Sequence, residues 1–320
     1  MRILLWHVHG SWTTAFVQGR HEYLLPVLPD RGPDGRGRAR TWDWPVSAIE
    51  LTPEELHGAP VDLVVLQRPE ELGLAERWLG GRRPGVDLPA VYVEHNAPQG
   101  RIAQMRHPVA DRRELTLVHV THFNDLFWDA GALPTRVIEH GVVDPGHRYT
   151  GELTRCAVAI NEPVRRGRVT GTDLLARFGR AAPLDLYGIG AGRLGGVENP
   201  PQEQLHREMP RRRLYLHPIR WTSLGLSLIE AMHLGMPIVA LATTEVPDAV
   251  PPEAGLISTD VERLCREIRR LMQEPEEARE RGAQARRAAR DRYSLERFLD
   301  DWDDLLAELT GLPAVEEVTA

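Results

Sequence analysis

Lysine is absent from this chain: all 39 basic residues are arginine. That excludes a Schiff-base lysine, and it excludes the P-loop, whose lysine reaches the terminal phosphates. Any phosphate clamp must then be built from arginine, backbone amides or a helix N-terminus. Cysteine is scarce as well. Cys156 and Cys265 are too few for a disulfide framework or a four-thiolate zinc site, and they fit a reducing, cytoplasmic setting. No apolar run approaches the ~20 residues of a membrane-spanning helix, and the opening MRILLWHVHG lacks a signal peptide's long apolar core. A surplus of positive charge is missing too. The net charge of −7 gives no reason to expect nucleic acid or an anionic bilayer as the main partner.

What is present is an ordinary globular composition, 42% hydrophobic and 27% charged over 320 residues, enough for two domains with separate cores. Short β-prone runs alternate with helical patterns, which predicts an α/β fold of doubly wound parallel sheets. In the first half the expected strands are Ile3–Val8, Val61–Leu66, Ala90–Val93, Leu117–Val120 and Val137–Ile138. Arg31–Arg40, RGPDGRGRAR, lacks apolar periodicity and reads as an exposed, mobile loop. In the second half CAVAI (Cys156–Ile160), Asp185–Tyr187 and GLIS (Gly255–Ser258) are expected strands. Helices are expected over Val261–Met272, on to Arg292, and over Leu295–Leu309, with a frayed tail from Gly311.

The most informative stretch is Leu214–Leu241, LYLHPIRWTSLGLSLIEAMHLGMPIVAL, which reads as strand, loop, helix, turn and strand. Leu224, Leu228, Ile229 and Met232 recur at helical spacing, and Gly235-Met236-Pro237 stops the helix. Thr222 or Ser223 is placed to cap its N-terminus, and Gly225 removes a side chain that would keep an anion off the backbone. Glu230, seven residues after Ser223, returns to nearly the same face roughly 10 Å along the axis. An anion socket followed by a carboxylate suits a nucleoside diphosphate, with its phosphates and ribose diol. An amphipathic helix with a capped start and a solvated Glu would carry the same pattern.

LGLSLIEAMHLGMPIVA resembles the signature E-G-F-G-L-x-x-x-E-A-M-A-x-G-x-P-V-V-A of retaining glycosyltransferases of family 4, which have the GT-B fold. That resemblance implies that Glu230 holds the donor ribose and that the segment of Thr222, Ser223, Leu224, Gly225 and Leu226 binds the diphosphate and sugar. This chain departs from the pattern at Thr222, where relatives carry a glutamate that touches the donor sugar. VIEHGVVDPG is similar to the family's V-I-P-N-G-V-D, with Glu139 and His140 in place of Pro and Asn. Aligning GTDLL (Gly171–Leu175) places the family's phosphate-binding Arg on Arg165 and its Lys on Thr170, with Arg166 and Arg168 in the same loop. Gly188, Gly190 and Gly192 are similar to the family's G-x-G turn near the nucleotide, and Glu245 falls in the family's Gly-Gly-x-x-E loop without its glycines.

On the first half, the resemblance implies that His95 lies beside the donor sugar, and His9, Gly10, Ser11 and Asn96 are the acceptor-side candidates. Structural or plain turn roles stay open for each of these residues. His7, His107, His119 and His206 need no special role on sequence alone. The implied organisation is residues 1–145 as the acceptor-side domain, 146–294 as the donor-binding domain, and 295–320 as a helix returning to the first domain plus a tail. The implied reaction is sugar transfer from a nucleoside-diphosphate sugar to an unidentified acceptor, with retention, without a cofactor and without a metal. His95 and Arg165 are the catalytic candidates. Peripheral membrane contact stays open. Two rivals share the scaffold: a nucleotide-sugar 2-epimerase using Glu94, His95 and Asp125, and a non-catalytic nucleotide-binding partner that lost the Thr222 carboxylate.

Overall fold

A computed structural model describes residues 1–312. It divides into two compact units, Met1–Gly141 with the helix Leu295–Thr310, and Val142–Ser294. In the first, the elements are β1 (Arg2–Leu5), α1 (Gly10–Phe16), β2 (Glu22–Pro26), β3 (Ala48–Leu51), α2 (Pro53–His57), β4 (Leu63–Leu66), α3 (Glu70–Trp78), β5 (Ala90–Glu94), β6 (Thr116–His119), α4 (His122–Phe127) and β7 (Thr135–Val137). All seven strands run parallel in the order β3-β2-β1-β4-β5-β6-β7. Strands covered on both faces read as unbroken apolar runs, and β4 and β5 are buried at every position. Sequence pattern also sets local ends: Thr52 and Glu55 form a reciprocal capping box at the start of α2, with Pro53 at the first helical position.

The second unit holds β8 (Leu153–Ala159), α5 (Pro163–Arg166), α6 (Leu175–Gly179), β9 (Leu184–Gly188), β10 (Val197–Glu198), α7 (Gln202–Glu208), β11 (Arg212–His217), α8 (Leu226–His233), β12 (Ile238–Leu241), α9 (Val246–Ala249), β13 (Gly255–Ser258), α10 (Val261–Gln273) and α11 (Pro275–Arg292). Its sheet is also fully parallel, ordered β10-β9-β8-β11-β12-β13. Leu228, Ile229 and Met232 of α8, the positions read at helical spacing, are fully buried on one side of the sheet. Asp260 caps α10 by accepting from the backbone N–H groups of Glu262 and Arg263. The chain then enters α12 (Leu295–Thr310), which belongs to the first unit. There Trp302 stacks edge-on against Trp12 and Phe16, at ring separations of 5.8 and 5.0 Å.

Two doubly wound parallel sheets are the fold that the sequence predicts, with several local differences. Ile3–Val8 is strand only to Leu5, and two strands toward one edge, β2 and the edge strand β3, were not expected. Arg31–Arg40 is not a free loop. Arg31 pairs with Glu50 at 2.8 Å, and Arg38 donates to the carbonyls of Trp44 (2.6 Å), Pro45 (2.8 Å) and Ala48. Gly35 and Gly37 are buried there, packed against Leu28 and Glu50. The tail read as frayed from Gly311 lies, beyond Leu312, outside the described residues. Among the described residues no helix is long and apolar enough to cross a membrane.

Candidate functional site

In each sheet the strand order reverses beside the first strand, between β1 and β4 and between β8 and β11, and ligands of open α/β sheets bind beyond the strand ends at such points. In the first unit these ends carry histidine. His9 is the N-cap residue of α1, so Gly10 and Ser11 form the first helical turn rather than the turn expected from the sequence. His95 follows β5 directly and is 8% exposed. Its ring lies 4.1 Å from the His9 ring and 5.0 Å, edge-on, from Trp12. His140, in the segment after β7, is 3% exposed. Among the described residues, His95 Nε2 and His140 Nδ1 are buried without a hydrogen-bond partner. Burial is the main reason that all three titrate low, with neighbouring positive charge adding to it: His9 at about 4, His140 at about 3, and His95 well below the usual value. Near neutral pH these rings are uncharged, and each carries one donor and one acceptor nitrogen. The trio does not form a metal-binding group among the described residues.

Asn96 is exposed; its backbone N–H donates to Glu94 at 2.6 Å and its carbonyl accepts from the Trp128 indole at 2.8 Å. Glu94 is held on its other oxygen by His107 at 3.0 Å, so His107, which had no role on sequence alone, is the partner of a buried carboxylate. Asp125 lies 3.7 Å from His119 rather than beside His95.

In the second unit α8 begins two to three residues later than the sequence implied. Gly225, not Thr222 or Ser223, is its N-cap residue, and it has no side chain with which to cap. Leu226 opens the helix, while Ser223 and Leu224 are buried in the approach and Thr222 is partly exposed. A Cβ on Gly225 would come within 2.7 Å of the ring of His217, which is fully buried at the end of β11 and titrates at about 4 because of that burial. Glycine at 225 is thus fixed by packing as well as by any approach of a ligand. Glu230, on α8, is 3% exposed. Its carboxylate accepts from Gln202 at 3.3 Å and from His206 at 3.3 Å, both on α7. On sequence alone His206 had no special role, and Gln202 was not considered. Their i, i+4 spacing after Pro200-Pro201, a helix-start signal, is the trace that pointed to a shared face.

Of the loop arginines, Arg165 is exposed on α5 with Glu162 at 3.4 Å. Arg166 is half-buried, and burial followed by the neighbouring Arg165 charge lowers its pKa. Arg168 is paired to Asp173 at 3.1 Å, and the same carboxylate accepts from Arg220 at 2.9 Å. Thr170, at the family's lysine position, is fully buried, its hydroxyl donating to the Gly167 carbonyl at 3.1 Å. The glycine turn is also occupied from within. Glu198 accepts from the amides of Gly190 (2.8 Å) and Gly192 (3.0 Å), and Asn161 accepts from that of Ile189 (2.9 Å). A Cβ on Gly188 would sit 2.2 Å from the Ile160 carbonyl, so strand packing alone requires glycine there. Glu245 is buried just before α9, 3.6 Å from Arg292. A cavity of about 510 Å³ opens elsewhere, along β9 beside Leu194–Val197, because the β9–β10 crossover is too short to lay a full helix over the sheet.

Residues 197–288 match the family described as Glycosyl transferases group 1. No curated protein matches the chain. Among solved structures it is similar to sucrose-phosphate synthase from Thermosynechococcus elongatus, with a TM-score of 0.71 at 15% identity, over 97% of this chain and 99% of that one. It is similar to HepE from Anabaena in complex with UDP-glucose, with a TM-score of 0.67 at 14% identity, over 97% and 100%. It is similar to TarM from S. aureus, with a TM-score of 0.60 at 14% identity, over 76% of this chain and 55% of that one. The two fully parallel sheets share the GT-B fold of these structures, and the group 1 match over residues 197–288 marks the chain as a glycosyltransferase.

Proposed function

We propose that this glycosyltransferase takes its sugar from a nucleoside-diphosphate sugar bound by the second unit, works with retention and without a metal, and is of family 4. The observation that carries the reading is α8 itself: a helix whose N-cap residue is the side-chain-free Gly225, followed on the same helix by the buried carboxylate of Glu230. The α8 N-terminus receives the diphosphate, and Glu230 receives the ribose hydroxyls. Arg165, exposed on α5, adds charge to the leaving group, while Arg166 and Arg168 shape the loop. Thr222 faces the sugar with one neutral hydroxyl. On the first unit, His95 orients the sugar as an uncharged hydrogen-bonding ring, and His9, Gly10, Ser11 and Asn96 serve the acceptor.

In the reaction the bond from the sugar's anomeric carbon to the phosphate oxygen breaks as a bond to the acceptor oxygen forms on the same face. The acceptor's proton passes to a phosphate oxygen of the departing diphosphate, and the charge developing there is stabilised by the α8 dipole and Arg165. HepE was solved with UDP-glucose, so UDP sugars are the first donors to test. A panel of nucleotide sugars, read by mass for transfer or hydrolysis and by NMR for anomeric configuration and 2-epimerisation, decides among transferase, epimerase and inactive partner. Activity that persists in chelator supports metal independence. Inverted product would sink the retaining assignment. Glu230→Ala should weaken nucleoside-diphosphate binding by about 1.5–3 kcal/mol by calorimetry, and unchanged affinity in the folded variant would remove Glu230 from the donor site.

A further inference from the structure

Glu230 does not stand alone on α8. Its two oxygens are held separately, Oε1 by the Gln202 amide and Oε2 by His206 Nε2, each at 3.3 Å. Both partners come from α7, four residues apart and so on one face of that helix. His206 is 5% exposed and Glu230 is 3% exposed, so neither side chain has solvent freedom to reorient. An ionised carboxylate only accepts, so His206 Nε2 must carry a proton toward it. A neighbouring position on α7 is tethered independently, Glu203 pairing with Arg148 at 2.8 Å. Ahead of α7, Pro201 holds the N-cap position at φ −53° and ψ 146°, and the Asn199 amide donates to the Gly188 carbonyl at 3.0 Å. The helix therefore starts at a place set by β9 and a stiff dipeptide rather than by a flexible loop.

We infer that Gln202 and His206 are positioning residues that fix the plane of the Glu230 carboxylate, and that this clamp sets how strictly the enzyme distinguishes a ribonucleotide donor from its 2′-deoxy form. The inference rests on the reading of Glu230 as the ribose acceptor. A carboxylate free to rotate about its last torsion accepts from either hydroxyl of a diol, or from one hydroxyl and water, with little difference in energy. Pinned at both oxygens, it meets the 2′- and 3′-hydroxyls in one orientation, and loss of either leaves an oxygen without its partner. Buried groups left unpaired are what make such a site reject an analogue that lacks a hydroxyl.

The test uses calorimetry on the full chain. UDP, ADP and GDP are ranked, and the tightest is compared with its 2′-deoxy counterpart. The wild-type protein should prefer the ribonucleotide by about 20-fold, His206→Ala should lower that preference to about 5-fold or less, and His206→Gln, which keeps an N–H donor, should hold it near the wild-type value. Gln202→Ala, at a partly exposed position, should act in the same direction and serves if His206→Ala does not fold. A purely structural role for α7 would weaken both nucleotides equally and leave the ratio unmoved. An unchanged ratio in His206→Ala and Gln202→Ala, with a ratio near one in Glu230→Ala, would overturn the clamp and leave the ribose reading standing. An unchanged ratio in Glu230→Ala would instead remove the ribose reading, and the clamp with it.

Discussion

The two units build the same kind of sheet and then furnish its strand ends with opposite chemistry. The first places His9, His95 and His140 there, rings that burial keeps uncharged. The second places Arg165, Arg166, Arg168 and Arg220 there, with Arg168 and Arg220 sharing the Asp173 carboxylate and Arg165 paired to Glu162. An uncharged imidazole exchanges hydrogen bonds with hydroxyl groups, whereas a guanidinium binds anions. The contrast teaches that one topology supplies positions, while desolvation on one side and ion pairing on the other decide which ligand chemistry those positions serve. Even the reporters are divided: seven of the eight tryptophans lie in the first unit, and Trp221 alone lies in the second.

The strongest way to break the comparison is through the core under the histidines. Trp302→Ala should cost the first unit about 3–5 kcal/mol, since its ring is 1% exposed and packs on Trp12 and Phe16. Urea unfolding followed by tryptophan emission measures it, and a loss under about 1 kcal/mol would mean that α12 is not integral to that core. Next is a matched pair of glycines at strand-end loops. A Cβ at Gly225 meets His217 at 2.7 Å, whereas one at Gly10 meets only the Trp42 ring at 3.5 Å. Gly225→Ala should cut kcat/KM by about 100-fold, on the scale of losing a main electrostatic contact, and Gly10→Ala should leave it within about threefold. Equal losses would erase the distinction between a tight anion socket and a roomier hydroxyl site.

Acid should then separate the units. His7, His9, His95, His119 and His140 of the first unit all titrate below the ordinary histidine value, against His217 and His233 in the second. Each such ring binds its proton more weakly folded than unfolded, so stability falls as the pH drops below about 6.5 toward the folded value. A fully buried ring such as His140, titrating at about 3, costs about 2 kcal/mol by pH 5. His140→Gln should lose correspondingly less stability between pH 7 and pH 5. An unaltered pH dependence would show that this ring is not neutral in the folded state. The smallest effect concerns Thr222. One neutral hydroxyl discriminates by about 0.5–1.5 kcal/mol, around tenfold at most, so donors epimeric at the sugar's 3- or 4-position should differ in rate by no more than that. A preference of several thousandfold would assign the reading to another residue.

How much was legible in the residues themselves follows the same division. The β11–α8–β12 segment could be read because its buried positions recur at helical spacing between two apolar runs, and β4 and β5 because strands buried on both faces leave no polar interruption. β2 and β3 were lost because neither reads as a clean apolar run: β2 opens on the exposed Glu22 and closes on Pro26, and Glu50 breaks β3 at the sheet edge. The start of α8 was misplaced because Thr222 and Ser223 have the chemistry of a cap, while the chain spends them on the approach and turns at Gly225. That Gln202 and His206 meet Glu230, His107 meets Glu94, and Glu198 meets the glycine-turn amides could not be read from the residues, even where spacing put Gln202 and His206 on one face. Each joins elements distant along the chain or across a loop, and only the packed fold brings the donor to its acceptor.

The return of α12 to the first unit also has a consequence for synthesis. Met1–Gly141 leaves the ribosome long before Leu295–Thr310, yet Phe298 and Trp302 of that helix pack edge-on against the Trp12–Phe16 pair. The contiguous second unit, Val142–Ser294, carries its whole core in one uninterrupted stretch. During translation the later-made unit is therefore the one able to finish first, while the earlier one waits with an aromatic face open until α12 emerges. Ribosome-stalled chains ending near Ser294 should expose their first 141 residues to protease while the following segment resists, an order opposite to the usual N-to-C sequence of domain folding.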